Sequence, residues 1–364
     1  MNKDLVQLIV QPEDGATPIV RAVDSAQETL DILIFRFDRR EFEAALVRAV
    51  ERGVRVRALI AHTSRGGDKS LRALEMRLLK AGITVARTAE DLLRYHGKML
   101  IVDQRELYVL GFNFTYLDID RSRSFGVIIK DRKIIDEAVK LFEADSRRQE
   151  YKPGHERLLI SPLNARASLA EFIKGATKEI LIYDPNISDK PILKVLEERA
   201  KAGVTIRAIG FSTRLAARQL VDQRLHVRLI VRDESSFFIG SQSLRATELD
   251  RRREVGVIID EPKIALAIKE VFEKDWKASE PAPGFADASV SASKIAKRVA
   301  KAVTKELPPI EPVFEEVIKE VSATGSEINL QQNWADLQAN VENAVKRAVK
   351  EAVLEAVEEG TGPA

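Results

Sequence analysis

The chain contains an internal repeat, and this repeat constrains the fold more than any other feature of the sequence. Three segments recur in the same order in the second half: residues 32–35 as 180–183, residues 53–59 as 203–209, and residues 124–129 as 254–259. A repeat of this length predicts two similar lobes. The offset is 148 residues between Ile32 and Ile180 and 150 between Gly53 and Gly203, but only 130 between Ser124 and Glu254. The second lobe has therefore lost about twenty residues after the second repeated segment.

Each repeat alternates short apolar segments with amphipathic ones. In the first lobe, strands are predicted at residues 5–10, 31–37, 54–61, 83–87 and 125–129, and helices at 40–52, 68–81 and 133–143. This alternation predicts an α/β fold, and a hairpin near residue 100 makes the sheet of each lobe mixed. We expect a first lobe at 1–150, a second, shortened lobe at 151–278, and a linker with a helical C-terminal extension at 279–364.

The composition is that of a globular protein with nearly balanced charge. Hydrophobic residues make up 45% and charged residues 31% of the chain, as in soluble domains. Cysteine is absent from the sequence, which excludes disulfides and thiol catalysis. The formal net charge of +2 permits anionic substrates without requiring them. The sequence contains neither a long apolar run nor a signal-peptide pattern at its start, so we expect a cytoplasmic protein.

The hairpin of the first lobe carries a cluster of reactive side chains. His96 and Lys98 lie at the start of its first strand, Asp103 begins its turn, and Asn113 follows its second strand. Because side chains alternate along a strand, His96 and Lys98 leave on the same face. A neutral imidazole beside a cation and an amide suits attack on phosphorus, since the cation neutralises the charge that develops on the phosphate oxygens.

The second lobe repeats this cluster with substitutions. His226 and Asp233 keep the spacing, whereas Arg228 stands in the place of the lysine and Ser243 in that of the asparagine. Arginine also binds phosphate, and it can do so through two parallel hydrogen bonds, but its geometry differs from that of lysine. Serine keeps a hydrogen-bond donor of shorter reach.

The segment His96-Gly97-Lys98, four further residues and Asp103 form an HxKxxxxD pattern. Together with its repeat, this pattern resembles the phospholipase D superfamily over residues 1–278. The resemblance implies two lobes packed face to face around one shared site that needs no metal and no cofactor. One histidine attacks the phosphodiester to give a phosphohistidine, and the other protonates the leaving group.

Carried over residue by residue, the resemblance gives a candidate catalytic set and a candidate substrate-binding set. His96 becomes the nucleophile or its partner acid, while Lys98 and Asn113 hold the phosphate. Asp103 belongs to the motif, but its place near the turn favours fixing the hairpin or a distant imidazole. The remaining candidates are His226, Arg228 and Asp233 for catalysis and Gly240, Ser241, Ser243 and Glu254 for substrate binding.

The missing residues leave two interpretations of His226. In the first, His226 is the second catalytic histidine on a shortened strand. In the second, the original motif strand was deleted, and residues 225–228 descend from a strand equivalent to residues 83–87. Both interpretations place His226 near a strand, and only the first places it in the cleft between the lobes.

The resemblance implies a phosphodiesterase or a phosphatidyl transferase, with phospholipid as the first substrate class. A nuclease of the same superfamily is an alternative, but the small charge surplus and the 6% aromatic content do not indicate the basic, aromatic-lined groove of a single-strand binder. A catalytically inactive binding or scaffold protein is a further alternative, which the substitutions in the second lobe suggest.

The C-terminal extension indicates partners rather than catalysis. It is predicted to form helices at residues 291–306, 313–321 and 334–358, with apolar and charged faces. These helices are candidates for a homodimer contact, and the lysine face of the first is a candidate for peripheral contact with a membrane. A hybrid arrangement, in which two chains each contribute a first-lobe motif, also stays open.

Overall fold

Two mixed β-sheets with the same strand order form the centre of the structure. The computed structural model describes residues 5–34, 36–62, 67–212 and 214–282, which lie in one compact unit ending at Ala282. The helices predicted beyond Ala282 lie outside the described residues. Within the described ranges, no helix is long and apolar enough to span a membrane.

The first lobe contains eight strands and five helices among the described residues. They are β1 (Val6–Gln11), α1 (Thr17–Ser25), β2 (Thr29–Ile34), α2 (Arg40–Glu51), β3 (Arg55–Ile60), α3 (Gly67–Lys80), β4 (Thr84–Arg87), β5 (Arg94–Tyr95), β6 (Met99–Val102), β7 (Glu106–Leu110), α4 (Tyr116–Asp120), β8 (Ser122–Ile129) and α5 (Arg132–Ser146).

The second lobe follows the same order with one helix fewer before its hairpin. Its described elements are β9 (Leu158–Ile160), α6 (Ala165–Lys174), β10 (Glu179–Ile187), α7 (Lys190–Lys201), β11 (Thr205–Ser212), β12 (Arg218–Gln219), β13 (Arg224–Leu225), β14 (Leu229–Arg232), β15 (Ser236–Gly240), α8 (Ala246–Asp250), β16 (Arg252–Arg253), β17 (Val255–Asp260), α9 (Pro262–Ala278) and β18 (Glu280–Pro281).

Both sheets combine parallel and antiparallel strands. The first sheet has the order β1-β8-β7-β6-β2-β3-β4, and the second has the order β9-β17-β15-β14-β10-β11-β12 with β18 at its edge. Strands β2, β3 and β4 pair in parallel, as do β10, β11 and β12, whereas the hairpin strands and the edge strands β1 and β9 pair antiparallel. The predicted α/β fold of two similar lobes is confirmed. The domain limits at residues 150 and 278 stay a prediction.

The alternation of side chains along the strands separates the hydrophobic residues into layers. In β6, Met99 and Ile101 enter a core that also contains Leu229 of the second lobe, whereas Leu100 and Val102 enter a core with residues of α1 and α2. A third core lies between the second sheet and helices α6 and α7. The two sheets therefore face each other across a shared core to which α5 and α9 also contribute, and the helices α1, α2, α6 and α7 cover their outer faces.

The residues missing from the second lobe correspond to α3 and not to the motif strand. β12 pairs in parallel with β11, as β4 pairs with β3, and in the described residues 214–217 between β11 and β12 there is no helix. β14, which follows His226, pairs antiparallel with β10, as β6 pairs with β2. The interpretation that residues 225–228 replace the strand at 83–87 is therefore wrong, and His226 occupies the position equivalent to His96.

The two motif aspartates lie at the turn ends of the hairpins. The Asp103 carboxylate accepts hydrogen bonds from the backbone N–H groups of Gln27, Glu28 and Thr29 at 2.7–3.2 Å. Four residues of β6 separate it from Lys98, so the two residues are about 16 Å apart along the extended chain. Asp233 accepts equivalent bonds at residues 177–179 of the second lobe. The candidate catalytic role of Asp103 and Asp233 is thus replaced by a structural one, because both carboxylates anchor the hairpin to the preceding strand.

We expect Asp103→Asn to lower the free energy of unfolding by about 1–3 kcal/mol, because the variant loses the charge that accepts three backbone hydrogen bonds. Burial raises the pKa of Asp103, but the three N–H donors outweigh it and hold the pKa below its ordinary value. The loss in free energy of unfolding should therefore be largest above the ordinary aspartate pKa. It should vanish as the pH falls through the lowered pKa of Asp103 in the folded protein. Urea unfolding measures it, with Asp222→Asn, at an exposed carboxylate, as the control. Equal stability of both variants at neutral pH would contradict the anchoring role.

Candidate active site

Each lobe holds the histidine of the other lobe in place through its backbone. β5 pairs in parallel with β16, and β13 pairs in parallel with β8, so both pairings cross between lobes. As a result, the N–H groups of His96 and Gly97 donate to the Arg253 carbonyl at 2.7 and 3.1 Å, and the His226 N–H donates to the Arg123 carbonyl at 3.1 Å. The two predicted histidines are therefore positioned by the junction between the sheets.

The His96 imidazole lies between a carboxylate and an amine. Its Nδ1 is 3.0 Å from Glu254 Oε2, and its Nε2 is 3.1 Å from Lys98 Nζ. A neutral imidazole carries one N–H. Because Lys98 approaches Nε2 with its donors, the proton lies on Nδ1, where Glu254 accepts it. Nε2 therefore keeps its lone pair.

Burial sets the protonation of this group. Desolvation lowers the pKa of His96 well below its ordinary value, and the cations Lys98 and Arg228 lower it further. Burial also lowers the pKa of Lys98 to about 7, against the opposing effect of Glu254. Burial raises the pKa of Glu254, which Lys98 and Arg252 oppose. The imidazole of His96 is thus neutral at neutral pH, as a nucleophile requires.

His226 lies next to Asp118, which was not among the predicted site residues. Its Nδ1 is 3.7 Å from Asp118 Oδ2, which is beyond hydrogen-bond distance. Asp118 accepts from the Asn113 side chain at 2.7 Å and from Arg224 at 2.7 Å. Ser124 donates its hydroxyl to the His226 carbonyl at 2.7 Å. Asn113 is therefore oriented by Asp118 beside the second histidine.

Arg228 and Ser243 take the places of Lys98 and Asn113 in the second lobe. Arg228 Nε donates to Ser243 Oγ at 3.1 Å, and Ser243 N–H donates to Glu248 at 2.6 Å. Arg228 Nη1 is buried and has no hydrogen-bond partner within the described part of the chain. The arginine therefore reaches back to the shorter serine and keeps a donor for a ligand.

Glu248 is the counterpart of Asp118, and it too was missed. Each of these acids follows the phosphate-binding candidate of its lobe by five residues, in α4 and α8. Glu248 lies 3.2 Å from Arg252 and 3.4 Å from Arg245. The matched spacing in both repeats was the signal that could have identified the pair.

The predicted substrate-binding set is only partly brought to the site. Ser241 Oγ donates to the Val255 carbonyl at 3.3 Å and accepts from the Val255 N–H at 3.1 Å. Gly240 packs so closely on the adjacent strand that a Cβ would lie 2.6 Å from Gly256 Cα. Both residues join β15 to β17, and packing replaces the predicted contact with substrate. Glu254, with its side chain fully buried, orients His96 and does not face a substrate.

No group of three or more side chains suited to metal binding occurs among the residues that the structure describes. His96, Lys98, His226 and Arg228 lie within one electrostatic cluster, because Arg228 lowers the pKa of His96 and Lys98 lowers the pKa of His226. The side chains able to act on a ligand are therefore two imidazoles and two cations, supported by Asn113 and Ser243.

We expect the His96 imidazole to stay neutral with its proton on Nδ1 from neutral pH to well below pH 6.5, because it is buried beside Lys98 and donates to Glu254. Side-chain ¹⁵N NMR of the four histidines, with His96→Gln for assignment, reports both the tautomer and the titration. Glu254→Gln is the matched variant, in which the preference for Nδ1–H should weaken. A His96 midpoint at or above 6.5, or a proton on Nε2, would contradict this arrangement.

Known proteins are similar to this chain over the first lobe alone or over parts of both lobes. A family profile described as cardiolipin synthase, PLD-like domain, matches residues 19–146. The polyphosphate kinase of Thermosynechococcus vestitus is 23% identical over 292 residues, which cover 67% of this chain and 39% of that protein. Human mitochondrial cardiolipin hydrolase is 31% identical over 173 residues, which cover 47% of this chain and 65% of that protein.

A solved structure extends the likeness of fold to both lobes. The phosphatidylserine synthase of Haemophilus influenzae superposes with a TM-score of 0.61 and 11% identity, over 79% of this chain and 89% of that chain. The chain spans only 35–39% of the length of the polyphosphate kinases that it matches. Together with the paired motifs, these matches support placing the chain in the phospholipase D superfamily, and the family profile itself covers the first lobe.

Proposed function

We propose that the protein is a phosphodiesterase or phosphatidyl transferase that acts through a covalent phosphohistidine on His96. The observation that carries this proposal is the imidazole held between Glu254 on Nδ1 and Lys98 on Nε2. This contact fixes the tautomer, leaves the lone pair on Nε2 and places a cation beside the attacking atom. Related proteins that match the chain bear the names of enzymes.

In the first step, the Nε2 lone pair of His96 forms a bond to phosphorus, and the bond from phosphorus to the leaving oxygen breaks. His226 gives a proton to that oxygen. In the second step, a water or an alcohol attacks the phosphohistidine while His226 takes up its proton, and the N–P bond breaks. The acceptor decides between hydrolysis and transfer.

His226 must gain a proton when the substrate binds. In the unliganded protein, burial lowers its pKa well below the ordinary value, Asp118 opposes this, and the cations Arg228, Arg224 and Lys98 add to it. A bound phosphate neutralises part of that cationic field, so its negative charge raises the pKa of His226. Substrate binding thereby converts the neutral imidazole toward a general acid.

The phosphate oxygens would be held by Lys98 and Asn113 from the first lobe and by Arg228 and Ser243 from the second. The unpartnered Arg228 Nη1 supports this assignment, because a buried guanidinium donor without a partner is costly unless a ligand completes it. The arrangement offers charge-assisted hydrogen bonds from two sides.

Phospholipid is the substrate class that we propose. The match of the first lobe to a cardiolipin synthase domain supports it, as does an apolar pair beside the site. Tyr116 and Leu117 are 53% and 49% exposed and lie in α4, which also carries Asp118. An aromatic and a leucine at the rim suit contact with the edge of a bilayer, so we also propose peripheral membrane contact.

A second candidate is phosphoryl transfer with polyphosphate. Its support is the extent of the match, since the polyphosphate kinases align over 63–67% of the chain, which requires both lobes. The buried cluster of Arg228, Arg245 and Arg252 around Glu248 also suits a ligand of high negative charge. The same histidine chemistry would serve either substrate.

The covalent adduct is the direct test. We expect the purified protein, incubated with chelator and ³²P-labelled phosphatidylglycerol vesicles, to carry acid-labile, base-stable label, and His96→Ala to carry none. In His226→Ala, turnover should fall by about 10²–10⁴-fold because the general acid is missing. His155→Gln, outside the site, is the control.

The same assay is run with bis(p-nitrophenyl) phosphate, single-stranded DNA and polyphosphate. Label from polyphosphate alone would favour the second candidate, and cleavage of DNA alone would favour a nuclease. Equal labelling of His96→Ala and the parent protein would exclude His96 as the nucleophile. No turnover and no label with any of the four substrates would favour an inactive binding protein.

The charge of Lys98 predicts a pH dependence. We expect kcat/KM to fall as the pH rises through about 7, because Lys98 of the unliganded enzyme is cationic only below its pKa of about 7 and the cation holds the phosphate. Lys98→Arg keeps its charge and should lack this decline. An unchanged alkaline limb in Lys98→Arg would assign the decline to another group. The acid limb, from protonation of His96, should lie below 6.5.

A further inference from the structure

A pocket outside the candidate active site is lined by Tyr95 and Arg253, the chain neighbours of His96 and Glu254. It has a volume of about 330 Å³, and its lining includes Tyr95, Asp145, Leu163 and Arg253. Arg253 and Asp145 are only 6% and 2% exposed, so they form its floor. We propose that this pocket, named here the Arg253 pocket, binds a small organic carboxylate on the guanidinium of Arg253.

The equivalent arginine of the first lobe shows which acceptors satisfy all the hydrogen-bond donors of such a buried guanidinium. Arg123, which corresponds to Arg253, is paired through Nε and Nη2 with Asp275 at 2.7 and 3.1 Å. Its Nη1 donates to both carboxylate oxygens of Glu13, at 2.6 and 2.9 Å, and to the Gln11 carbonyl at 2.8 Å. Each of its three nitrogens therefore has an acceptor, and two carboxylates share the charge.

Arg253 has a smaller set of hydrogen-bonding partners, and its guanidinium also lies over the Tyr95 ring, 5.5 Å from the ring centroid. Its Nη2 is 3.2 Å from Asp145, its Nη1 donates to the Ser161 carbonyl at 3.4 Å, and its buried Nε has no hydrogen-bond partner in the described structure. The second carboxylate oxygen of Asp145 is also buried without a partner. A buried ion pair in this state is costly, because the open donor and acceptor have lost water without replacement.

The difference between the partners of Arg123 and those of Arg253 has a defined origin in the sequence. Gln11 pairs with Ser124 across the first sheet, and Ser161 N–H donates to the Glu254 carbonyl at 3.1 Å in the second. Ser161 is therefore the counterpart of Gln11, and Leu163 that of Glu13. Leu163 is 47% exposed and leaves open the place that the glutamate carboxylate takes in the other half.

The ligand is therefore expected to supply a carboxylate where Glu13 supplies one to Arg123. The other charged groups of the pocket, Asp91, Arg148 and Glu150, are exposed at its rim. Water and salt screen these rim charges far more than the buried arginine on the floor. The floor also carries the Asp145 carboxylate beside Arg253, so the ligand is attracted by direct hydrogen bonds from the guanidinium and not by a net positive charge of the floor.

A ligand in the Arg253 pocket would affect His96 through Arg253 alone. The Arg253 carbonyl accepts the N–H groups of His96 and Gly97, and the next residue, Glu254, contacts His96 Nδ1. A ligand that draws the Arg253 side chain toward the pocket changes the position of this backbone. The proposed binding of a carboxylate in the Arg253 pocket does not depend on the proposed phosphodiesterase activity.

A titration of the full chain with glutarate at constant ionic strength tests the proposal, with Tm as the readout and inorganic phosphate as the second probe. We expect a saturable rise in Tm with glutarate. Leu163→Glu installs the missing carboxylate at an exposed position and should weaken the response by at least about tenfold in apparent affinity. Leu266→Glu, at another exposed leucine on α9 (45% exposed), is the matched control and should respond as the parent protein does.

A second readout locates the ligand without using activity. Glutarate should shift the ¹⁵N signal of His96 and leave that of His155 unchanged, and Arg253→Lys should lose both the shift and the rise in Tm. The proposal is overturned if glutarate has no effect on the parent protein, if Leu163→Glu responds as strongly as Leu266→Glu, or if only phosphate stabilises the protein.

Discussion

The site depends on one buried contact between the lobes, the hydrogen bond from His96 to Glu254. The imidazole belongs to the first lobe and the carboxylate to the second, and the carboxylate side chain is fully buried. A buried carboxylate is stable only with its hydrogen bonds made. The contact therefore fixes the orientation of the imidazole, and it can form only when the two sheets have packed against their shared core.

The two halves of the site are related but not equal. In the first lobe a lysine and an asparagine stand beside a histidine that donates to a glutamate, and in the second an arginine and a serine stand beside a histidine 3.7 Å from an aspartate. The tightly held imidazole suits the attacking group, which needs one tautomer and a neutral state. The loosely held imidazole suits a group that must lose and gain a proton. The asymmetry of the contacts thus matches the asymmetry of the proposed roles.

Local patterns in the sequence predicted the features that depend on neighbours along the chain. Strand and helix alternation, the hairpin, and the shared face of His96 and Lys98 follow from periodicity, and the repeat indicated the second lobe. Asp118 could have been found from its five-residue spacing to Asn113, which the second repeat matches, but its approach to His226 and the role of Glu254 could not, because these contacts join residues more than 100 positions apart. Asp103 and Asp233 were assigned to catalysis by motif membership, although their place at the turn already indicated an anchor. The offsets between the repeats gave the number of residues that the second lobe has lost. Only the strand pairings showed that these residues correspond to α3.

The crossed pairing of His96 with Arg253 and of His226 with Arg123 has a consequence for how the protein reaches its working state. Each contact closes a loop of more than 100 residues, and contacts of such separation form late in folding because the chain entropy must be lost first. A nascent first lobe can form its sheet while its reactive imidazole still lacks its carboxylate. Chemical competence therefore arises only after the second lobe has been synthesised and has docked on the first.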